Sequence, residues 1–389
     1  MFSLDGSKVL KRHSNADICG GEECGFKESV SDGKRYVFAT NTLLDTLDVF
    51  SISSGDFVAS IEVCGFPWAL DYHPIRDEVW VHCWSPDEAE GDVGHVSVIS
   101  AGAINTPTQH VMIKDTLENH AHGSVLVDSS LGHIGYSTDL NNATLFSVDL
   151  NTKDVIEAIP VPDVSGLYRM AYSHVNQHIY LRAYVCCSCG FDGADLPTCG
   201  RGGGKPVDIT TGPSAGSLGV EGSCGHGCEG SVADTIGVME FDTKTNRFVK
   251  NWQMKEGFGA DPYVSPYGDH IALFGNNGGK TVRILKPAQN GNGSKLWADV
   301  DVGFHTEDQS TTKSVSDAVF IQDSNHNIAI FSSTLSNSIA IVDMSSDNPV
   351  VNKLLLTDGE DITSNHGKSF AIAPTKKCQS FHSNYFLFD

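Results

Sequence analysis

The sequence predicts an all-β chain folded as a single seven-bladed β-propeller, and two observations predict it. A four-strand unit recurs about every 45 residues, and an apolar strand opens each copy. Tyr36–Val63, YVFATNTLLDTLDVFSISSGDFVASIEV, shows the unit most clearly. Its β-rich runs are separated by Asn-Thr and Ser-Ser-Gly turns, as consecutive hairpin strands require. HIGYSTDLNNATLFSVDLNTKDVIEAIPV from His133 and NIAIFSSTLSNSIAIVDMSSDNPVVNKLLL from Asn327 keep the same order.

The leading strands PWALDYHP, GSVLVDSS, YRMAYSH, DPYVSP, SDAVFIQD and KSFAIAP place blade starts near Gly25, Pro67, His122, Tyr168, Ala260, Ser314 and Gly367. Such units bury their faces only against neighbours, so the whole chain, 1–389, reads as one domain. The last unit runs out of residues at YFLFD, while FSLDGSKVLKR at the other end resembles its missing outer part. The ring is therefore expected to close by pairing N- and C-terminal strands.

Blade four is interrupted. After YRMAYSHVNQHIYLRAYV comes a Cys- and Gly-rich stretch, residues 186–231, before SVADTIGVMEF resumes the blade. A loop this long without a core needs cross-links or a metal to be ordered. Cys186, Cys187, Cys189, Cys199, Cys224 and Cys228 are even in number and predict a disulfide-stapled loop. Zinc held by these thiolates with His226, and a catalytic vicinal dithiol at Cys186 and Cys187, are the other two readings. Outside the loop, Cys64 and Cys83 lie close enough in a propeller to bridge, and Cys19 and Cys24 can staple the segment before the first blade. With eleven cysteines in all, at least one thiol, such as Cys378, is free or links two molecules into an oligomer.

Two sequons, at Asn142 and Asn292, fit a glycosylated, secreted chain. The net charge of −22 and the absence of a Lys/Arg cluster exclude a nucleic-acid footprint. No apolar run is long enough for a membrane helix, and MFSLDGSKVLKRH lacks the apolar core of a signal peptide, so either the chain is cytosolic or its leader precedes residue 1.

In a propeller the start of each innermost strand points at the central channel, where ligands bind. Those positions are Trp68, His120, His122, Tyr168, Arg169, Asp261, Asp317, His366 and Lys368. His120, His122, Asp261, Asp317 and His366 form a candidate metal set, since imidazoles with carboxylates suit a transition metal. The Asp-rich turns are a weaker candidate for calcium, and none matches an EF-hand loop. No GxSxG, HExxH, P-loop or dinucleotide motif is present.

The repeat, with YVFATN and TLDVFSISSGDFVASIEV, resembles the YVTN-type propeller repeat. DEVWVHCW at Asp77–Trp84, LYRMAYSHVNQHIYLRA from Leu167 and VSDAVF at Val315–Phe320 resemble, in the same order, the C-terminal propeller of the follistatin-related secreted glycoproteins. That resemblance implies a secreted, glycosylated, non-enzymatic domain that binds a protein partner; the Cys-rich insertion departs from it. The reading carried forward is an extracellular interaction or structural module with a disulfide-stapled loop. The alternative is a metal-binding propeller or metalloenzyme that uses the channel histidines and carboxylates.

Overall fold

Short hairpins joined by polar turns leave every strand needing cover on two sides, and the computed structural model supplies it by stacking sheets around an axis. It describes residues 18–20, 25–83, 95–105, 109–112, 121–126, 133–139, 144–161, 166–184, 237–253, 258–276, 281–288, 293–302, 315–322, 327–333, 338–355, 369–374 and 383–388.

The first blade holds β1 (Phe26–Ser31), β2 (Tyr36–Asn41), β3 (Thr46–Ser51) and β4 (Phe57–Glu62), antiparallel and in that order. The second holds β5 (Pro67–His73), β6 (Glu78–Cys83), β7 (His95–Ser100) and β8 (Gln109–Met112). The third holds β9 (Ala121–Leu126), β10 (Ile134–Asp139), β11 (Thr144–Asp149) and β12 (Val155–Pro160). The fourth holds β13 (Gly166–Ser173), β14 (His178–Tyr184), β15 (Gly237–Asp242) and β16 (Arg247–Gln253). The fifth holds β17 (Phe258–Val264), β18 (Ile271–Asn276), β19 (Thr281–Lys286) and β20 (Lys295–Asp301). The sixth holds β21 (Val315–Gln322), β22 (Asn327–Ser333), β23 (Ser338–Asp343) and β24 (Val350–Leu355).

The expected seven blades are corrected to six. Among the described residues, the remaining strands, β25 (Ser369–Pro374) and β26 (Ser383–Phe388), pair with each other in a two-stranded sheet. This small sheet lies between the sixth and first blades, with β25 against both β21 and β1. The expected terminal pairing involves residues 1–12, which lie outside the described residues.

Burial follows from the stacking. A strand inside a blade is covered by neighbours on both faces, so β2 and β6 are buried along nearly their whole length. The outermost β4 is covered on one face and alternates. Alternate side chains of one strand feed different cores. On β6, Val79 and Val81 join Phe38, Leu47 and Val49 of the first blade. Trp80 joins Phe146 and Val148 of the third. On β14, Leu181 packs with Tyr136 and Leu145 behind it, whereas Tyr180 packs with Ile271 and Leu273 ahead. Among the described residues, no helix is long and apolar enough to cross a membrane.

One disulfide pair is described, the Cys64–Cys83 bridge expected outside the loop, which ties the connector after the first blade to β6 of the second. Cys19 is disulfide-bonded too, to a residue outside the described ones. Cys24 and the six loop cysteines lie outside the described residues. The insertion itself links β14 to β15, which are antiparallel neighbours in one blade, with Arg182 opposite Val238.

Candidate functional site

The innermost strands β1, β5, β9, β13, β17 and β21 touch in ring order and all begin at one end of the axis, here the upper face. Each carries a register shift within its first four residues, where it holds one residue more than its partner strand. The shifts fall at Lys27–Glu28, Trp68, His122, Tyr168–Arg169, Gly259–Ala260 and Ser316. Bulges re-aim side chains at the rims of closed sheets, so this ring of irregular backbone defines the channel mouth.

Two of these positions meet across the channel. Arg169 Nη1 lies 3.3 Å from Glu28 Oε1, both side chains being half-buried. β13 and β1 are separated around the ring by β5 and β9 on one side and by β17, β21 and β25 on the other, so the ion pair spans the axis. The Arg169 guanidinium also lies over the Tyr263 ring, 4.2 Å from its centre. One arginine thus links the first, fourth and fifth blades. Thr40 Oγ1 accepts from the Glu28 amide at 3.1 Å and lies 3.2 Å from the Trp68 carbonyl, coupling the first and second blades at the same level.

Beside this pair, Phe66 and Trp68 stack with centroids 5.8 Å apart and planes 21° from parallel. Phe66 has φ +54°, a left-handed backbone at a bulky residue directly before a proline. Such a conformation costs of order 1–3 kcal/mol and persists only where surroundings enforce it. Three bonds enforce it here. Asp45, from the β2–β3 turn, accepts the Phe66 amide at 2.6 Å, the Cys64–Cys83 disulfide holds the chain two residues earlier, and Ser97 Oγ accepts the Cys64 amide at 3.0 Å.

The opposite, lower face is stitched blade to blade. Arg35 of the first blade pairs with Asp77 of the second. Lys153 Nζ of the third donates to Glu78 Oε2 of the second at 2.9 Å. Asn246 of the fourth donates to Glu157 of the third at 3.2 Å, and Ser173 of the fourth to the Gly268 carbonyl of the fifth at 2.6 Å. Gln322 of the sixth donates to Asp269 of the fifth at 2.8 Å. Deeper in the fourth blade, Glu240 accepts from His178 Nδ1 at 2.7 Å, Trp252 Nε1 at 3.0 Å and the Ser294 amide of the fifth blade at 3.0 Å. Burial pushes the Glu240 carboxyl up, but these hydrogen bonds outweigh it and hold it below the usual carboxylate range.

Of the candidate metal set, His122, Asp261 and Asp317 have their backbones on β9, β17 and β21, each at or beside a register shift. Their side chains, and His120 and His366 entirely, lie outside the described residues. Among the described residues, no three His, Cys, Asp or Glu side chains converge to hold a metal. Asn142 and Asn292 also lie outside. Ser294, third residue of the second sequon, is described: its buried hydroxyl donates to Glu240 at 2.9 Å and bonds Tyr180 at 2.6 Å. Glu28 was not singled out from the sequence, although it stands near the start of its strand as Arg169 does in the fourth blade.

No family model matches the chain, and no curated protein matches it. Solved structures do. Hydrazine synthase of Kuenenia stuttgartiensis aligns with TM-score 0.59 and 13% identity over 98% of this chain and 99% of that one. The Cps50 (Swd1) β-propeller domain of Myceliophteria thermophila aligns with TM-score 0.57 and 8% identity over 94% of this chain and 96% of that one. U3-55K aligns with TM-score 0.57 and 8% identity over 91% and 86%. At these identities the likeness establishes the propeller fold alone.

Proposed function

We propose that this propeller is a protein-interaction module that engages its partner at the upper face. The observation that carries the reading is the asymmetry of the two ends. Every blade's innermost strand is bulged at the upper end, around a mouth of charged and aromatic side chains, whereas the lower end uses its polar groups to join consecutive blades. Functional residues concentrate where irregular backbone is held on a rigid frame.

The oxidising, extracellular setting and the relationship to the follistatin-related propellers belong to the same proposal. The Cys64–Cys83 bridge supports the former, because such bonds persist outside the reducing cytosol. The latter rests on the residue runs quoted above.

Two exposed apolar residues make a matched test. Leu43, 53% exposed on the β2–β3 turn, lies at the upper face, and Ile75, 63% exposed on the β5–β6 turn, at the lower. In quantitative co-purification from secretions of the source cells, Leu43→Arg is expected to lose partner proteins that Ile75→Arg keeps. Equal retention by both variants, or no partner retained by the unaltered chain, overturns the reading.

A further inference from the structure

We infer that the lower rim of the fourth and fifth blades is a binding surface for a sulfated polysaccharide chain. This surface lies at the opposite end of the ring from the mouth and stands independently of the upper-face reading.

The chain is strongly acidic, with 48 Asp and Glu against 26 Lys and Arg, yet two of its segments are not. DTKTNRFVK, residues 242–250, and KPAQNGNGSK, residues 286–295, together hold five cations and one acid. The fold brings the two segments into contact. Lys250 Nζ donates to the Ser294 carbonyl at 3.1 Å, Lys295 is the next residue, and Lys286 stands directly opposite Lys295 across the β19–β20 hairpin. Gly293 passes so close that a Cβ there would meet the Lys250 side chain at 3.1 Å. Arg247 opens β16, and Lys244 lies in the turn before it.

These charges face solvent. Lys244, Arg247, Lys286 and Lys295 are exposed, and none of them is ion-paired among the described residues. Of the nearby acids, Glu240 and Asp242 are buried within hydrogen bonds, and Glu157 is exposed against Asn246, so the cations remain in excess. At physiological salt a charge is felt over about 8 Å, and the carboxylates elsewhere on the molecule are largely screened from this patch.

The side chains select the chemistry. Four of the five cations are lysines, compact charges that answer to the density of negative charge more than to the shape of the group carrying it. The rings beside them are already covered, Trp252 by Lys250 at 3.6 Å and Trp297 by Lys286 at 4.7 Å. Single-stranded nucleic acid needs bare aromatic faces for its bases, and these two are taken. A row of cations across two blades is longer than one small anion, and closely spaced sulfate groups on an extended sugar chain match it.

The test titrates the full chain into a fluorescent, size-fractionated heparin fragment and follows anisotropy at fixed ionic strength. Desulfated heparin, an oligothymidylate of similar length and a polyglutamate are measured beside it. Asn292 stands between Lys286 and Lys295, so the chain is first trimmed with an endoglycosidase. Lys295→Gln and Arg247→Gln are each expected to weaken heparin binding about threefold, and together about tenfold. Lys34→Gln, which removes an exposed lysine from the lower face of the first blade, should leave it unchanged. Should Arg247→Gln disturb the start of β16, Lys244→Gln reads the same segment from the turn. No binding by the unaltered chain overturns the proposal. So does equal binding of desulfated heparin, oligothymidylate or polyglutamate, or a loss in Lys34→Gln as large as in Lys295→Gln. The upper-face reading is decided separately, because Leu43→Arg leaves this rim unaltered.

Discussion

His178 Nδ1 and Glu240 Oε1 meet at 2.7 Å with neither side chain exposed to solvent. Because Glu240 also accepts the amide and hydroxyl of Ser294, this buried carboxylate joins the fourth blade to the β19–β20 turn of the fifth. Glu240→Ala leaves several buried donors without an acceptor. It is expected to cost about 3–5 kcal/mol in urea unfolding, against about 1–2 kcal/mol for Ser294→Ala. A loss below 1 kcal/mol for Glu240→Ala would show that the junction does not depend on it.

Acid is expected to destabilise the fold in two stages. Burial pushes the His82 imidazole down to about 3 from its ordinary 6.5. Between those values the unfolded chain takes up a proton that the folded chain does not, so stability falls as pH drops below 6.5, by roughly 1.4 kcal/mol per pH unit. Glu240, held below its ordinary 4.5, contributes stability that is present above that value and lost as pH falls through its lower folded one. Thermal melts at several pH values should therefore show His82→Leu flattening the decline between pH 6.5 and 4.5. An unchanged slope excludes His82 as its source.

Replacing Cys64 and Cys83 together by alanine opens a loop spanning 19 positions in sequence and is expected to cost roughly 3 kcal/mol. Reduction of the folded protein should reach this bridge slowly, because both cysteines are buried. Thiol labelling followed by peptide mapping reads this directly, and early labelling of Cys83 contradicts it.

Arg169→Met and Glu28→Gln each break this half-buried ion pair at the channel mouth and are expected to lower stability by about 1–2 kcal/mol. In the double variant the losses should not add, the coupling being of order 1 kcal/mol. Additive losses would mean that the pair, although it spans the ring, contributes no joint stabilisation.

Much of the frame is legible in the sequence. Pro67 opens β5 as read, and the other blade starts fall within a few residues of their strands, because the apolar leading strand and its polar turn recur wherever a sheet must be buried on both faces. The blade count was the error: KSFAIAP and YFLFD are genuine strands, β25 and β26, but a strand run near a terminus does not say how many partners it finds. The ties between blades were illegible. Glu240 and Ser294 are 54 residues apart, and a strand period fixes which residues share a face without fixing which meets the next sheet. Phe66 was missed for another reason: its left-handed backbone comes from Asp45 and the disulfide, not from a local preference of phenylalanine.

Excising residues 185–236 tests the blade-four reading. Tyr184 and Gly237 end adjacent antiparallel strands, so a short Gly-containing turn can rejoin them. The shortened chain is expected to keep its β-sheet circular dichroism and a cooperative melt. Loss of either would show that the insertion helps hold the blades.

A circle of sheets is only as continuous as its narrowest segment, and among the described residues that segment is the β25–β26 pair bridging the sixth blade to the first. Mechanically it acts as a clasp: the six broad sheets form an open arc, and this slim one converts the arc into a hoop. Its backbone amides are therefore expected to exchange with deuterium ahead of those in β2 or β14. Because β25 touches both β21 and β1, loosening of this clasp is what would part the sixth blade from the first.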